Sequence, residues 1–485
     1  MNHSLALLTD LYQLTMGCGY WKSGIAERRA CFHLFFRRNP FKGGYAVAAG
    51  LQDAMAYLEG LRFDAGDLAY LASLTNADGT ALFDPGFLEF LRASEPRLTV
   101  HAIPEGRVVF PHEPLLRVEG PLWQAQLVET ALLTIVNFQT LIATKAARVC
   151  RAARNADGEH ESVLEFGLRR AQGIDGALSA TRAAFIGGCS ATSNVLAGRR
   201  YGIPVRGTHA HSWVMSFPSE REAFERYADA FPKGSVFLVD TFDTLEGVRT
   251  AVAVGKAMRA KGHEMLGVRL DSGDLAELSI GARKILDEGG FPDASIVASN
   301  DLDEYRIEAL KERGAKITVW GVGTRLTTAY DQPALGGVYK LAAIENEAGA
   351  WEPRIKLSEN PVKTSIPNRQ QVRRFSLDGT FVADAIYDDV AGFSDPHLVH
   401  SETGATCAVP EGALHEDLLV EVMRDGRATY AHPALSAMRA ATLADLERLP
   451  DVHELTRDPA PYFAGLEGSL ARVRAAMIRA TKERS

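Results

Sequence analysis

Two histidines, a hydroxyl and a guanidinium crowd into Arg206-Gly207-Thr208-His209-Ala210-His211. Imidazole is the side chain that serves as acid, base or nucleophile near neutral pH. The group continues from a short apolar run, Ile203–Gly207. A parallel strand that stops in Gly-Thr leaves its polar groups at its carboxyl end, where α/β folds bind ligands. A strand-to-helix turn with a structural histidine would read the same way in isolation, so the other run ends carry the argument.

Those ends form a series. Glu165-Phe166-Gly167-Leu168-Arg169-Arg170 sets two guanidiniums beside an aromatic ring. Arginine takes a carboxylate bidentately and a ring stacks on a flat aromatic, although paired surface arginines look alike. Val239-Asp240-Thr241-Phe242-Asp243 offers a carboxylate and a hydroxyl, with Asp243 or Thr241 suited to a helix N-cap. In Val268-Arg269-Leu270-Asp271-Ser272-Gly273-Asp274, Asp271 suits either ribose hydroxyls or Mg²⁺, and Asp274 suits a cap. Val297-Ala298-Ser299-Asn300-Asp301 and Trp320-Gly321-Val322-Gly323-Thr324-Arg325 are small-residue turns with free backbone N–H groups. A lone Gly-x-Gly is weak, but two successive turns of this kind describe the phosphate site of the last strands of a (β/α) barrel. Taken together, the set describes a phosphoribosyl donor meeting an aromatic acid.

The elements that must position these ends follow from the rhythm of the chain. Seven apolar runs, Val163–Gly167, Ala184–Gly188, Ile203–Gly207, Val236–Asp240, Leu266–Leu270, Ser295–Ser299 and Ile317–Gly321, alternate with helical patterns. The helices are expected at Ser190–Arg200, Glu220–Ala230, Thr244–Arg259, Leu275–Glu288 and Leu302–Arg313. The expected fold is α/β: an irregular (β/α) barrel of about seven parallel strands, with an open doubly wound sheet as the alternative. A second α+β domain is expected from the N-terminal region and returning C-terminal strands. Residues 1–130 form that N-terminal domain and 131–336 the catalytic barrel. Residues 337–400, with strands at Val338–Ile344, Trp351–Lys356 and Gln371–Tyr387, rejoin it, and 401–485 form a mixed, then helical extension. Thr9-Asp10 is expected to cap a helix carrying Leu11, Tyr12 and Gln13, and Leu122–Val149 to form a long helix.

Composition narrows the classes. The chain has 485 residues, 46% hydrophobic and 24% charged, with a formal net charge of −8. An acidic chain of this kind argues against a general nucleic-acid binder. The five cysteines are scattered and form no CxxC pair, which argues against a disulfide framework or a cysteine zinc site and fits a reduced, cytoplasmic setting. The N-terminus lacks a basic n-region and a long apolar core, and no apolar run is long enough for a membrane span.

Several motifs in one order resemble nicotinate phosphoribosyltransferases of the type II phosphoribosyltransferase fold. The carriers are Thr9-Asp10-Leu11-Tyr12-Gln13-Leu14-Thr15-Met16, Phe35-Phe36-Arg37-Arg38-Asn39-Pro40-Phe41, Glu165 to Gly173, Gly207-Thr208-His209-Ala210-His211-Ser212, Val268 to Leu275, and Gly321-Val322-Gly323-Thr324. The resemblance runs from Thr9 to about Asn368, and the last 80 or so residues carry little of it. It implies that nicotinate and phosphoribosyl pyrophosphate give nicotinate mononucleotide and pyrophosphate, coupled to ATP hydrolysis and requiring Mg²⁺. It implies phosphorylation of His211, with Asp271 as the second catalytic residue and a metal-holding carboxylate. Nicotinate contacts map to Tyr12, Phe166, Arg169, Thr208 and Arg269. Phosphoribosyl pyrophosphate contacts map to Arg38, Ser299, Asn300, Gly321, Gly323 and Thr324. A homodimer with shared sites is implied, Tyr12 and either Arg37 or Arg38 reaching across. His209 falls on the variable position of the motif, as a residue behind the site. Arg170 adds positive charge that favours an acid over nicotinamide, and the N-terminal motif does not match quinolinate enzymes. A sugar-phosphate lyase or isomerase on a barrel would want a Schiff-base lysine, and the run ends carry none.

Overall fold

The computed structural model describes residues 5–155, 157–450 and 462–484. It divides into two compact units, one of residues 142–333 and one of the described residues up to 141 and from 334 onward.

The unit of residues 142–333 is built on a six-stranded parallel sheet. Its strands are β1 (Ser162–Glu165), β2 (Ala191–Thr192), β3 (Val236–Leu238), β4 (Gly267–Leu270), β5 (Ser295–Ala298) and β6 (Val319–Val322). Their spatial order is β2-β1-β6-β5-β4-β3. Helices α1 (Ile174–Ile186), α2 (Val195–Tyr201), α3 (His211–Met215), α4 (Glu220–Ala230), α5 (Thr244–Ala260), α6 (Leu275–Glu288), α7 (Glu304–Glu312) and α8 (Thr324–Thr327) fill the connections. Phe237, Val268, Leu270, Ile296, Ala298, Trp320 and Val322 are almost wholly buried, as a parallel sheet covered on both faces requires.

Short polar side chains start the helices that follow the strands. Asp243 accepts from the Glu246 N–H (2.9 Å), Asp274 from Ala276 and Glu277 (3.1 and 3.2 Å), and Asp303 from Arg306 (2.8 Å). Each satisfies an N–H that the first helical turn would leave unpaired. Asp274 is therefore the expected cap. Of the two candidates after β3, Asp243 caps and Thr241 does not.

Two expected strands are absent. Ala184–Gly188 closes α1, whose last turns are rich in alanine, the best helix former; a short apolar run does not separate strand from helix by itself. Ile203–Gly207 makes only a single parallel bridge, Val205 to Thr192. Pro204 within it has no N–H to donate. The strand beside β1 is instead the two-residue β2, in a stretch expected to be helical.

The other unit carries a seven-stranded antiparallel sheet, in which Arg29–Phe36 lies between Leu116–Pro121 and Gly337–Glu345. The expected strand at Trp351–Lys356 is the shorter Trp351–Pro353, paired on Gly337–Glu345. The stretch expected as one strand, Gln371–Tyr387, is a hairpin of Gln370–Leu377 and Thr380–Asp388 turning at Asp378-Gly379, both at positive φ. It belongs to a second, six-stranded sheet rather than to the N-terminal one. Phe375, Ala383, Ala385 and Leu398 form that sheet's core. Helix Leu11–Lys22 begins at Asp10, whose N–H donates to Gln13 Oε1 at 2.8 Å. The long helical stretch is two helices, Leu122–Leu127 and Glu129–Ala152. Of the C-terminal extension, residues 451–461 lie outside the described residues; helices Leu435–Glu447 and Gly468–Arg484 flank them. Among the described residues no helix is long and apolar enough to cross a membrane.

Candidate active site

The strand ends of β1, β4, β5 and β6 meet at one cavity of about 240 Å³, lined by Phe166, Arg169, Arg170, Arg269, Asp271, Ser299, Asn300, Asp301, Gly321, Gly323 and Thr324. Arg269 is its hub. From β4 its guanidinium donates to Ser299 Oγ, Thr208 Oγ1 and Asp271 Oδ1, each at 2.9 Å. It also lies over the Phe166 ring, 5.6 Å from its centre. A planar fork of donors ties three separate loops together, which a point charge on a flexible stem could not do.

Asp271 receives Arg269 and the Ser299 hydroxyl on Oδ1. Burial pushes its carboxyl up, but the Arg269 charge and these bonds outweigh that and hold it below the ordinary carboxylate range. Asp271 Oδ2 lies 3.7 Å from His211 Nε2. His211 opens α3, and its Nδ1 is 3.1 Å from the Thr241 hydroxyl. A second carboxylate, Asp240 at the end of β3, takes the Asp271 N–H (3.0 Å) and the Ser272 hydroxyl on Oδ2. Its buried Oδ1 has no hydrogen-bond partner and lies 3.9 Å from His211 Nε2.

The end of β5 is unusual in its backbone. Asn300 and Asp301 both take positive φ, at 101° and 47°. Gly321 sits under Phe166: a Cβ there would lie 2.8 Å from Phe166 Cδ2, so only glycine admits the ring.

The residues singled out from the sequence fall into three groups. Phe166, Arg169, Arg269, Asp271, Ser299, Asn300, Gly321, Gly323 and Thr324 line the cavity. Thr208 and His211 do not line it but touch it through Arg269 and Asp271. Tyr12 and Arg38 belong to the other unit. There Tyr12 is 47% exposed and accepts from Gln13 Nε2 at 3.0 Å.

Asp240 and Thr241, read from the sequence as a strand-end carboxylate and hydroxyl without a role in the site, complete the surroundings with Asp301 and Glu220. Asp240 stands at the end of its strand as Asp271 does at the end of the next; that shared position was the available signal. Glu220, the first residue of α4, has a buried Oε1 with no hydrogen bond. Burial, then Asp240 and Asp243, push its carboxyl up to about 7. A carboxyl raised on folding stabilises the fold fully below its unfolded pKa and loses that contribution as pH rises through the folded value. Glu220→Gln is therefore expected to gain in melting temperature relative to the wild type as pH goes from about 5 to about 8. Calorimetry at both pH values checks it; a constant difference contradicts it.

Comparison with known proteins agrees across the chain. Family models describe the nicotinate phosphoribosyltransferase N-terminal domain over residues 7–137, the nicotinate phosphoribosyltransferase family over 162–378 and its C-terminal domain over 369–474. Nicotinate phosphoribosyltransferase of Bacillus subtilis is 45% identical over 95% of this chain and 92% of its own length. The Homo sapiens enzyme of that name is 37% identical over 94% of this chain and 93% of its own. A crystal structure of human nicotinic acid phosphoribosyltransferase superposes with a TM-score of 0.83 at 34% identity, covering 96% of this chain and 99% of that one. A nicotinate-nucleotide pyrophosphorylase from Pyrococcus furiosus shares the fold, with a TM-score of 0.68 at 21% identity over 92% of this chain and 96% of its own. With all three family models matched in order and relatives aligned over nearly their whole length, the chain belongs to the nicotinate phosphoribosyltransferase family and is an enzyme of that activity.

Proposed function

We propose that this enzyme makes nicotinate mononucleotide and pyrophosphate from nicotinate and phosphoribosyl pyrophosphate, coupled to ATP hydrolysis through phosphorylation of His211. The observation that carries the reading is the junction at Asp271, whose one carboxylate joins the Arg269 hub on Oδ1 and faces His211 Nε2 from Oδ2.

In this reading Arg169 takes the nicotinate carboxylate and Phe166 stacks on the pyridine ring, while Arg269 and Thr208 fix its position. Tyr12 contributes from the partner copy of a homodimer. Ser299, Asn300, Gly321, Gly323 and Thr324 hold phosphoribosyl pyrophosphate, and Arg38 of the partner copy reaches its pyrophosphate. The irregular (β/α) barrel is the catalytic domain, residues 131–336, and the enzyme works in the cytoplasm. The pyridine nitrogen attacks the anomeric carbon as pyrophosphate leaves. Positive charge develops at that carbon, and Asp271, held ionised by Arg269, stabilises it. An enzyme-borne nucleophile is not needed for this step.

Asp271 also fits Mg²⁺, a cation that prefers hard oxygen donors, because its hydrogen bonds fall on Oδ1. When bound, Mg²⁺ would offset the charge of the leaving pyrophosphate. At His211, Thr241 engages Nδ1 and leaves Nε2 as the nitrogen that takes the terminal phosphoryl group of ATP. The N–P bond forms as the bond to ADP breaks, and water later cleaves N–P to release phosphate.

Pyrophosphate release measured side by side with nicotinate, nicotinamide and quinolinate, with and without ATP, tests the substrate. Nicotinate with ATP is expected to be fastest; a preference for either other acceptor overturns the reading. His211→Ala is expected to lose the acid-labile label from γ-labelled ATP, and label retained by that variant contradicts phosphorylation at His211.

A further inference from the structure

His209 is buried and does not line the cavity, and the mechanism above does not use it. Its surroundings are specific. The ring lies among Tyr227 (4.8 Å between centres, edge-on), Phe224 (5.9 Å) and Phe237 (6.4 Å). Its Nε2 accepts the backbone N–H of Leu238 at 3.3 Å. A ring nitrogen that accepts is unprotonated, so the ring is neutral with its hydrogen on Nδ1. Burial lowers the imidazole to about 4, which keeps it an acceptor throughout the neutral range.

That hydrogen bond falls where the sheet has no ladder. At one edge, the stretch after Gly202 runs beside β2: the Thr192 N–H donates to Pro204 O, and the Arg206 N–H to Thr192 O, both at 3.0 Å. At the other edge, β3 pairs, among the described residues, only with β4. Among the described residues no backbone hydrogen bond joins 203–209 to β3; the His209 imidazole makes the link instead. The register matters. His209 stands two residues before His211, and Leu238 two residues before Asp240. This bond, together with the 3.1 Å contact of His211 Nδ1 with the Thr241 hydroxyl, joins the two arms that carry His211 Nε2 and Asp240 Oδ1, 3.9 Å apart. Trp213 adds a second anchor for α3 by donating from Nε1 to Ala223 O at 3.0 Å, but on the far side of His211.

We propose that His209 is a positioning residue for the reaction: its imidazole closes the gap between the sheet edges and sets the loop of Thr208 and His211 against the strand of Asp240. The phosphoryl part of this role rests on the reading of His211 given above; the positioning itself does not.

Two variants separate acceptor from packing. His209→Phe keeps an aromatic ring and loses the acceptor. His209→Gln loses the ring but places an amide oxygen near the position of Nε2. His209→Phe is expected to lower kcat for nicotinate mononucleotide formation, and the rate of His211 labelling, by on the order of 10- to 100-fold. Its KM for nicotinate should stay within about threefold, because Arg269 still holds Thr208 by its own hydrogen bond and His209 does not line the cavity. His209→Gln is expected to recover most of the lost kcat and to keep the Leu238 amide protected from hydrogen exchange, which His209→Phe exposes. Wild-type kcat in His209→Phe, or equal loss in both variants, overturns the proposal. Nitrogen NMR of the unmodified enzyme adds a test that needs no variant: Nε2 should be the unprotonated nitrogen at neutral pH, and a proton found there overturns the proposal. Absence of label from the wild type, with the kcat pattern intact, overturns phosphorylation of His211 and supports the positioning role.

Discussion

Arg269→Met is expected to lower kcat/KM for nicotinate by on the order of 10²- to 10³-fold, with a loss that Arg269→Lys does not recover. The guanidinium serves three partners from three loops at 2.9 Å each. Without it, Asp271 keeps only the Ser299 hydroxyl and a half-buried charge loses its counter-ion. The largest of the influences that lower the Asp271 carboxyl then disappears while its burial remains, so that pKa rises. The acid limb of the pH–rate profile should accordingly move toward neutrality in the variant. Lysine restores one positive charge but not a planar fork. Steady-state kinetics with nicotinate across pH check the expectation; a variant within tenfold of the wild type, with an unmoved acid limb, contradicts it.

The largest expected effect on stability lies in the other unit, at Arg374 and Asp384. Both side chains are almost completely inaccessible, at 1% and 0%. Arg374 donates from Nη2 to Asp384 Oδ2 at 2.6 Å and from Nε to Oδ1 at 3.0 Å, and Tyr462 Oη donates to Oδ1 at 2.9 Å. Burial and then Asp384 itself push the neighbouring Glu113 carboxyl well up, so Glu113 stays protonated. Arg374→Met removes the positive charge paired with Asp384 and is expected to cost about 3–5 kcal/mol. Asp384→Asn should cost less, because Glu113 can then ionise beside Arg374. The double replacement Arg374→Met/Asp384→Leu should recover much of the loss, since it strands no charge. Denaturant unfolding of the three variants checks the order; Arg374→Met within about 1 kcal/mol of the wild type contradicts it.

What the sequence made legible follows from where the chemistry sits. Arg269 and Asp271 could be read because alternation along a strand puts both on one side of its end, and their types announce anions and ribose. Ser299, Gly321 and Gly323 could be read because turns that approach a ligand closely need small residues. Asp240 could be read only as a strand-end carboxylate beside two candidate caps, Thr241 and Asp243, of which Asp243 is the cap in fact. Only the packing shows Asp240 Oδ1 without a hydrogen bond. Ala184–Gly188 misled because four or five apolar residues carry no period long enough to tell a helix from a strand. The Asp378-Gly379 hairpin was missed although Asp-Gly between alternating runs is a strong turn signal. The pairing of Gln370–Leu377 with Leu414–Asp417 joins residues about forty positions apart, which local pattern does not reach.

Phe166 is held by Gly321, close against its Cδ2 and Cε2 atoms, and by the Arg269 guanidinium over its ring. A side chain held in this way has few rotamers left before any ligand arrives. The entropy of ordering the aromatic wall is lost when the chain folds, so a flat acid that slides against it meets a surface already in place. Replacing Gly321 with even alanine would transfer that ordering to the moment of encounter, and the penalty would show as weaker ground-state affinity for the acid rather than as a slower chemical step.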